Sequence, residues 1–146
     1  MAESDKKIGV ELKKLNNLIK RRLIKSKPVD DGAKLGAGGF IIGYVAESRV
    51  SVYQKDIEKE FKIRRPTATA MLKRLEAAGF LVRVGEDGDK RLKRIVLTDK
   101  AKKMHEEFTK RADEIESEFD SVISPSERSQ LLKIIEKLQS RLEQND

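Results

Sequence analysis

The sequence contains no cysteine, which removes disulfides, zinc fingers, iron–sulfur clusters and thiol catalysis together. Its single histidine, His105, cannot build a histidine metal site or a relay of several imidazoles, so no metal site is expected. The N-terminus is charged and lacks the apolar stretch of a secretory signal. The densest apolar patch, residues 40–46, is too short and too interrupted by glycine to span a bilayer. A soluble cytoplasmic protein is expected. Gly36-Ala37-Gly38-Gly39 fails as a nucleotide loop: the third glycine of such a motif would fall at Ile41, and no Gly-Lys-Ser/Thr follows. No cofactor is expected. With no nucleophile–base pair either, the chain is not expected to be an enzyme.

What is abundant is charge. Charged residues make up 39% of the 146 and apolar residues 38%, against a typical charged share of about a quarter. Both signs are mixed, which fits a folded protein with a thin core and much solvated helix surface. The net charge of +7 is uneven, with +4 in residues 1–32, +6 in residues 33–100 and −3 in residues 101–146. A basic first two-thirds suits a polyanion, and nucleic acid is the leading partner. The acidic last third faces something else.

Ile8, Leu12, Leu15, Ile19 and Leu23 form one stripe of a long helix over residues 6–25, ended by Pro28 and Asp30-Asp31-Gly32. A short helix over 40–47 is expected to bury Phe40, Ile41, Tyr44 and Val45. Two further short helices follow. One, over 53–61, carries Ile57 and Phe61 on one face. The other begins at Arg65, has Pro66 in its first turn, buries Ala68, Met71, Leu72 and Leu75, and is stopped by Gly79. From Phe80 the period changes to strand, turn and strand, with Asp87-Gly88 as the hairpin turn before residues 91–97. That order is a winged helix-turn-helix.

The last third is helical again. Ala101, His105, Phe108, Ala112, Ile115, Phe119 and Val122 make a heptad-like seam. Ser124-Pro125-Ser126-Glu127 reads as a capping box that starts a final helix with the stripe Leu131, Ile135, Leu138 and Leu142. The first helix and the last two expose more apolar stripe than a small monomer covers. A homodimer follows, joined through Ile8, Leu12, Leu15, Phe119, Val122, Leu131, Ile135, Leu138 and Leu142. The fold class is mostly α with a small β-hairpin wing. Its parts are an N-terminal dimerisation helix (1–32), a winged helix-turn-helix (33–100) and C-terminal dimerisation helices (101–146).

Arg64 and Arg65 stand where a helix macrodipole prefers anions, and neither can cap the helix. Their sign is wrong for helix stability and right for a phosphate backbone. With Ala68 at the centre of the buried face, Pro66, Thr69, Ala70, Lys73 and Ala77 face outward, flanked by Thr67 and Arg74. This small, polar, basic face can lie deep in a major groove. On the hairpin, Arg91, Lys93 and Arg94 stand beside Asp89 and Lys90. Strand alternation puts Asp89 and Arg91 on one face, where the carboxylate orients an arginine suited to a narrow minor groove.

Tyr53-Gln54-Lys55-Asp56-Ile57-Glu58-Lys59-Glu60-Phe61, Arg65-Pro66-Thr67-Ala68-Thr69, Leu75-Glu76-Ala77-Ala78-Gly79-Phe80-Leu81-Val82-Arg83 and Asp89-Lys90-Arg91 leading into Val96-Leu97-Thr98 together resemble the MarR family of bacterial transcription regulators. The resemblance implies an obligate dimer on a near-palindromic operator, with the helix from Arg65 in the major groove and Arg91 in the minor groove. It also implies a pocket between the winged lobe and the dimerisation helices for a small-molecule effector, such as a phenolic or other small anion. Tyr53, where many members carry a Thr or Ser cap, and Ala101, where many carry Gly, depart from the pattern. The other reading of the same surfaces is a winged-helix protein-interaction module without sequence-specific DNA binding.

Overall fold

The computed structural model describes residues 2–24, 37–86 and 89–144, with the backbone alone for residues 86 and 89–91. After a single 3-10 turn at Glu3–Asp5 come α1 (Ile8–Ile24), α2 (Gly38–Glu47), α3 (Gln54–Phe61), α4 (Arg65–Ala77), β1 (Leu81–Glu86), β2 (Asp89–Leu97), α5 (Asp99–Val122) and α6 (Pro125–Glu143). This is the expected winged helix-turn-helix between flanking helices. The proposed stop of α1 at Pro28 to Gly32, Gly36 and the Asp87-Gly88 turn lie outside the described residues. Contacts divide the chain into two units, Met1–Arg111 and Ala112–Asp146.

In the first unit the core gathers around α4. Ala68, Leu72 and Leu75 are buried on one face, and the helix packs on α2, α3 and β1. Ile41, Ile42, Ile57, Phe80 and Leu81 complete the cluster, with Met71 and Met104 packed partly buried against it. Burial in α2 differs from expectation. Ile42 is fully buried, whereas Phe40 remains 41% exposed and sets its ring edge-on to Phe108 at 5.2 Å. The cause is Gly39, where a Cβ would collide with the Phe108 ring; the glycine lets α5 and the start of α2 approach closely.

Local chemistry fixes the element ends. Asp56 accepts the Tyr53 backbone N–H at 2.9 Å, so α3 starts well without a Ser or Thr at its N-cap. Lys62 closes α3 in the left-handed region at φ 53. Gly79, at φ +82, ends α4 as expected, because only glycine takes that backbone without strain. The Thr98 hydroxyl donates to the Gly79 carbonyl at 2.6 Å and accepts the Ala101 N–H at 3.3 Å. Ala101 is itself fully buried, so the start of α5 has no need of glycine. Lys100 donates to the Ala78 carbonyl at 2.7 Å and lies 4.6 Å over the Phe80 ring.

The hairpin pairs antiparallel from Leu81 with Leu97 to Gly85 with Lys93, then shifts register between Gly85 and Glu86. Val52, ahead of α3, accepts the Ile95 N–H at 2.8 Å and ties the hairpin to the helices. Arg111 donates to the Leu23 carbonyl at 2.8 Å, satisfying a C-terminal carbonyl of α1. His105 is half-buried with Thr109 Oγ1 at 3.4 Å from its Nδ1, a packed and hydrogen-bonded imidazole.

In the second unit the capping box forms as expected. Ser124 Oγ accepts the Glu127 N–H at 3.1 Å, and the Glu127 carboxylate accepts the Ser124 N–H at 3.0 Å. That backbone bond, then the hydroxyl, holds the Glu127 carboxyl below its ordinary value. Arg128 donates to Glu116 at 2.8 Å and to Asp120 at 3.0 Å, so two carboxylates of the acidic face anchor α6. The hydrogen bond to Glu116, and then the charge of Asp120, raise the Arg128 pKa.

Candidate nucleic-acid interface

The interface is built outward from the buried face of α4. Because Ala68, Leu72 and Leu75 point into the core, the opposite side of the helix must face solvent. Arg64, Arg65, Pro66, Thr67, Ala70, Lys73, Arg74 and Ala77 are all exposed there. Arg64 holds the N-cap position without a side-chain cap bond, and no acidic residue occupies the first turn. The start of α4 therefore presents backbone donors and guanidinium groups together, an arrangement matched to anions.

Thr69 departs from the expected outward face. It is half-buried, and its Oγ1 accepts a hydrogen bond from Gln54 Nε2 at 2.8 Å. Gln54 is the first residue of α3, and its side-chain oxygen faces Arg83 Nη1 at 3.4 Å. Arg83 Nε in turn lies 4.0 Å from Glu76 Oε2. Its Nε and Nη2 are buried without a hydrogen-bond partner. Spacing singles out Thr69 of this network but not Gln54 or Arg83. One signal was present: Arg83 is two residues from Leu81, which is buried, so alternation places it on the inward face of β1.

Gln54, Thr69 and Arg83 line a groove of about 660 Å³ together with Lys55, Arg65 and Lys93. The structure thus brings together Arg65 and Thr69 of the helix and Lys93 of the hairpin. Arg94 is exposed beside Lys93. The side chains of Asp89, Lys90 and Arg91 lie outside the described residues; their backbone runs in β2, next to the register shift. Among the described residues no group of His, Cys, Asp and Glu could hold a metal ion, and no helix is long and apolar enough to cross a membrane.

Residues 40–92 match the family model described as MarR family. The HTH-type transcriptional regulator FarR of Neisseria gonorrhoeae is 34% identical over 92 residues, covering 63% of this chain. The match spans 60% of that relative's length. Among solved structures, the transcription regulator MarR of Oenococcus oeni PSU-1 is similar at 29% identity and TM-score 0.73, covering 92% of this chain and 99% of that one. The S. aureus MepR–DNA complex is similar at 26% identity and TM-score 0.78, covering 94% and 99%. In its order of helices and hairpin and in the match over residues 40–92, the chain is similar to winged helix-turn-helix regulators of the MarR family.

Proposed function

We propose that the protein is a homodimeric regulator that binds near-palindromic double-stranded DNA, with α4 in the major groove and the hairpin tip at the minor groove. One observation carries this reading: the solvent face of α4 is small and basic, begins with two exposed arginines, and lacks any large apolar side chain. Such a face lacks the aromatic anchors on which protein interfaces centre, and its lysine is of a type depleted there. It suits a duplex, where phosphate contacts position the helix and base edges specify the sequence. The likeness to a protein solved on DNA supports the same reading.

In this scheme Arg64, Arg65, Lys73 and Arg94 contact phosphates, while Thr67, Thr69 and Arg91 reach base edges, with Pro66, Ala70, Arg74, Asp89, Lys90 and Lys93 completing the surface. Residues 1–32 and 101–146 join the two copies. Their uncovered stripes support this, since Ile8, Leu12, Leu15, Val122, Leu131, Leu138 and Leu142 are all exposed in the single chain. A small-molecule effector rests on the resemblance to the MarR family alone.

Four phosphate contacts per chain give a slope of log affinity against log salt of about −3.6, or about −7 for two chains. Fluorescence anisotropy of a labelled random duplex across a salt series measures it. A flat response, or no binding at low salt, would favour the protein-interaction module.

A further inference from the structure

We propose that Gln54, oriented by Arg83, locks the Thr69 hydroxyl as a proton donor toward DNA, so that Thr69 selects a base acceptor at the step it meets. The inference rests on the DNA-binding reading above and adds to it a residue outside the recognition helix that sets specificity.

The direction of the relay follows from which groups can only donate. A guanidinium has donors and no acceptor, and it stays protonated in proteins. Arg83 Nη1 sits 3.4 Å from the Gln54 side-chain oxygen. The amide must therefore turn that oxygen to Arg83 and its NH2 group away. The NH2 group lies 2.8 Å from Thr69 Oγ1 and can only donate, so the threonine oxygen accepts. A hydroxyl carries one proton. With Oγ1 accepting from Gln54, that proton points elsewhere, and among the described residues no side chain or carbonyl takes it.

Arg83 is itself held in place. Glu76 stands 4.0 Å from its Nε, and among the described residues the hydrogen bond from Nη1 to Gln54 is the one its guanidinium makes, Nε and Nη2 having none. Gln54, Thr69 and Arg83 all line the groove beside Arg65, so the threonine proton is presented on the side where the first turn of α4 carries its cation.

A freely rotating threonine hydroxyl serves either kind of base edge and discriminates poorly. One fixed as a donor is satisfied by purine N7, guanine O6 or thymine O4 and meets like polarity at adenine N6 or cytosine N4. Gln54→Glu reverses the relay. Its carboxylate still pairs with Arg83 but can only accept, so the Thr69 proton turns inward and the oxygen is left to accept from a base.

The test selects bound sequences from a randomised duplex pool with the wild-type full-length protein, Thr69→Val, Gln54→Glu and Gln54→Met, at one salt concentration. Wild type should enrich a motif, and Thr69→Val should lose the preference at one step per half-site. At that step wild type should favour an acceptor edge by about fivefold or more, the low end of a base contact. Gln54→Glu should invert the order toward cytosine N4 or adenine N6, and Gln54→Met should flatten it. Retention of no duplex by the wild type would defeat the DNA-binding reading itself. A clear wild-type motif whose Thr69-dependent step ranks the bases identically in Gln54→Glu and Gln54→Met, both folded by circular dichroism, would overturn the relay alone.

Discussion

The winged part of the chain and its outer helices treat apolar side chains in opposite ways. From α2 to β2, Ile41, Ile42, Ile57, Leu72, Leu75, Phe80 and Leu81 are all sealed to 1% exposure or less. On α1, Ile8 stays 63% exposed, and on α6, Leu142 stays 75% exposed. Leu72 and Leu75 of the buried set follow a helical stripe just as Ile8, Leu12 and Leu15 of α1 do, so periodicity alone does not separate the two sets. The first stripe meets its partners within the chain, and the second does not. A lobe that carries its own core can act as a rigid reading head, while bare stripes of this kind fit the proposed association of two copies.

The contrast can be broken most strongly at its buried end. Leu72→Ala opens a cavity under α4 and should cost ~2–5 kcal/mol of stability, read by urea denaturation at fixed protein concentration. An effect under 1 kcal/mol would mean that the lobe is not the independent core described. At the bare end, Leu131→Glu combined with Leu138→Glu should leave the helical circular dichroism of the single chain intact yet abolish self-association. Each leucine contributes about 1.5–3 kcal/mol when buried, so dissociation should strengthen by two orders of magnitude or more, as read by light scattering. An unchanged mass would assign the stripes to some other role.

In the proposed reading, the exposed face of α4 and the hairpin divides further into parts that specify and parts that attract. Arg91→Ala should weaken binding to the selected duplex by ~1–3 kcal/mol with thermal stability unchanged. Arg65→Ala should weaken all duplexes alike and make the salt slope shallower by about 0.9 per chain; a sequence-dependent loss would move Arg65 among the base readers. The smallest effect belongs to the start of α6. Ser124→Ala should remove about 1 kcal/mol. Because Glu127 titrates below its ordinary value, its contribution is present above the usual carboxylate range and fades as pH falls through the lowered value. Amide exchange at Ser124 should therefore speed up in acid, and a rate flat with pH after correction for intrinsic exchange would remove that bond from the cap.

Much of this was legible in the chain because its signals are local. Pro66 and Gly79 bracket α4, Ser124 and Glu127 start α6, and the strand period announces the hairpin. The spacing also marked Ala68, Leu72 and Leu75 as core. What escaped was long-range. Gln54 and Thr69 are 15 residues apart, and Gln54 and Arg83 are 29 apart, so no periodicity could join them. Thr69 lies at the edge of the outward arc, about 100° from Ala68 at the helical repeat, where a neighbouring helix decides between exposure and burial. The sequence puts Phe40 in the buried set of α2. Gly39 instead brings Phe108 against the helix, and Phe40 is left at the rim.

The central claim is that two copies present two basic reading heads to one duplex. Sedimentation velocity of a labelled, selected duplex with increasing protein at constant salt measures this directly. The account requires a saturated complex of two chains per duplex, formed without a stable one-chain species. Saturation at one chain per duplex, or a duplex that sediments alone throughout, would contradict it.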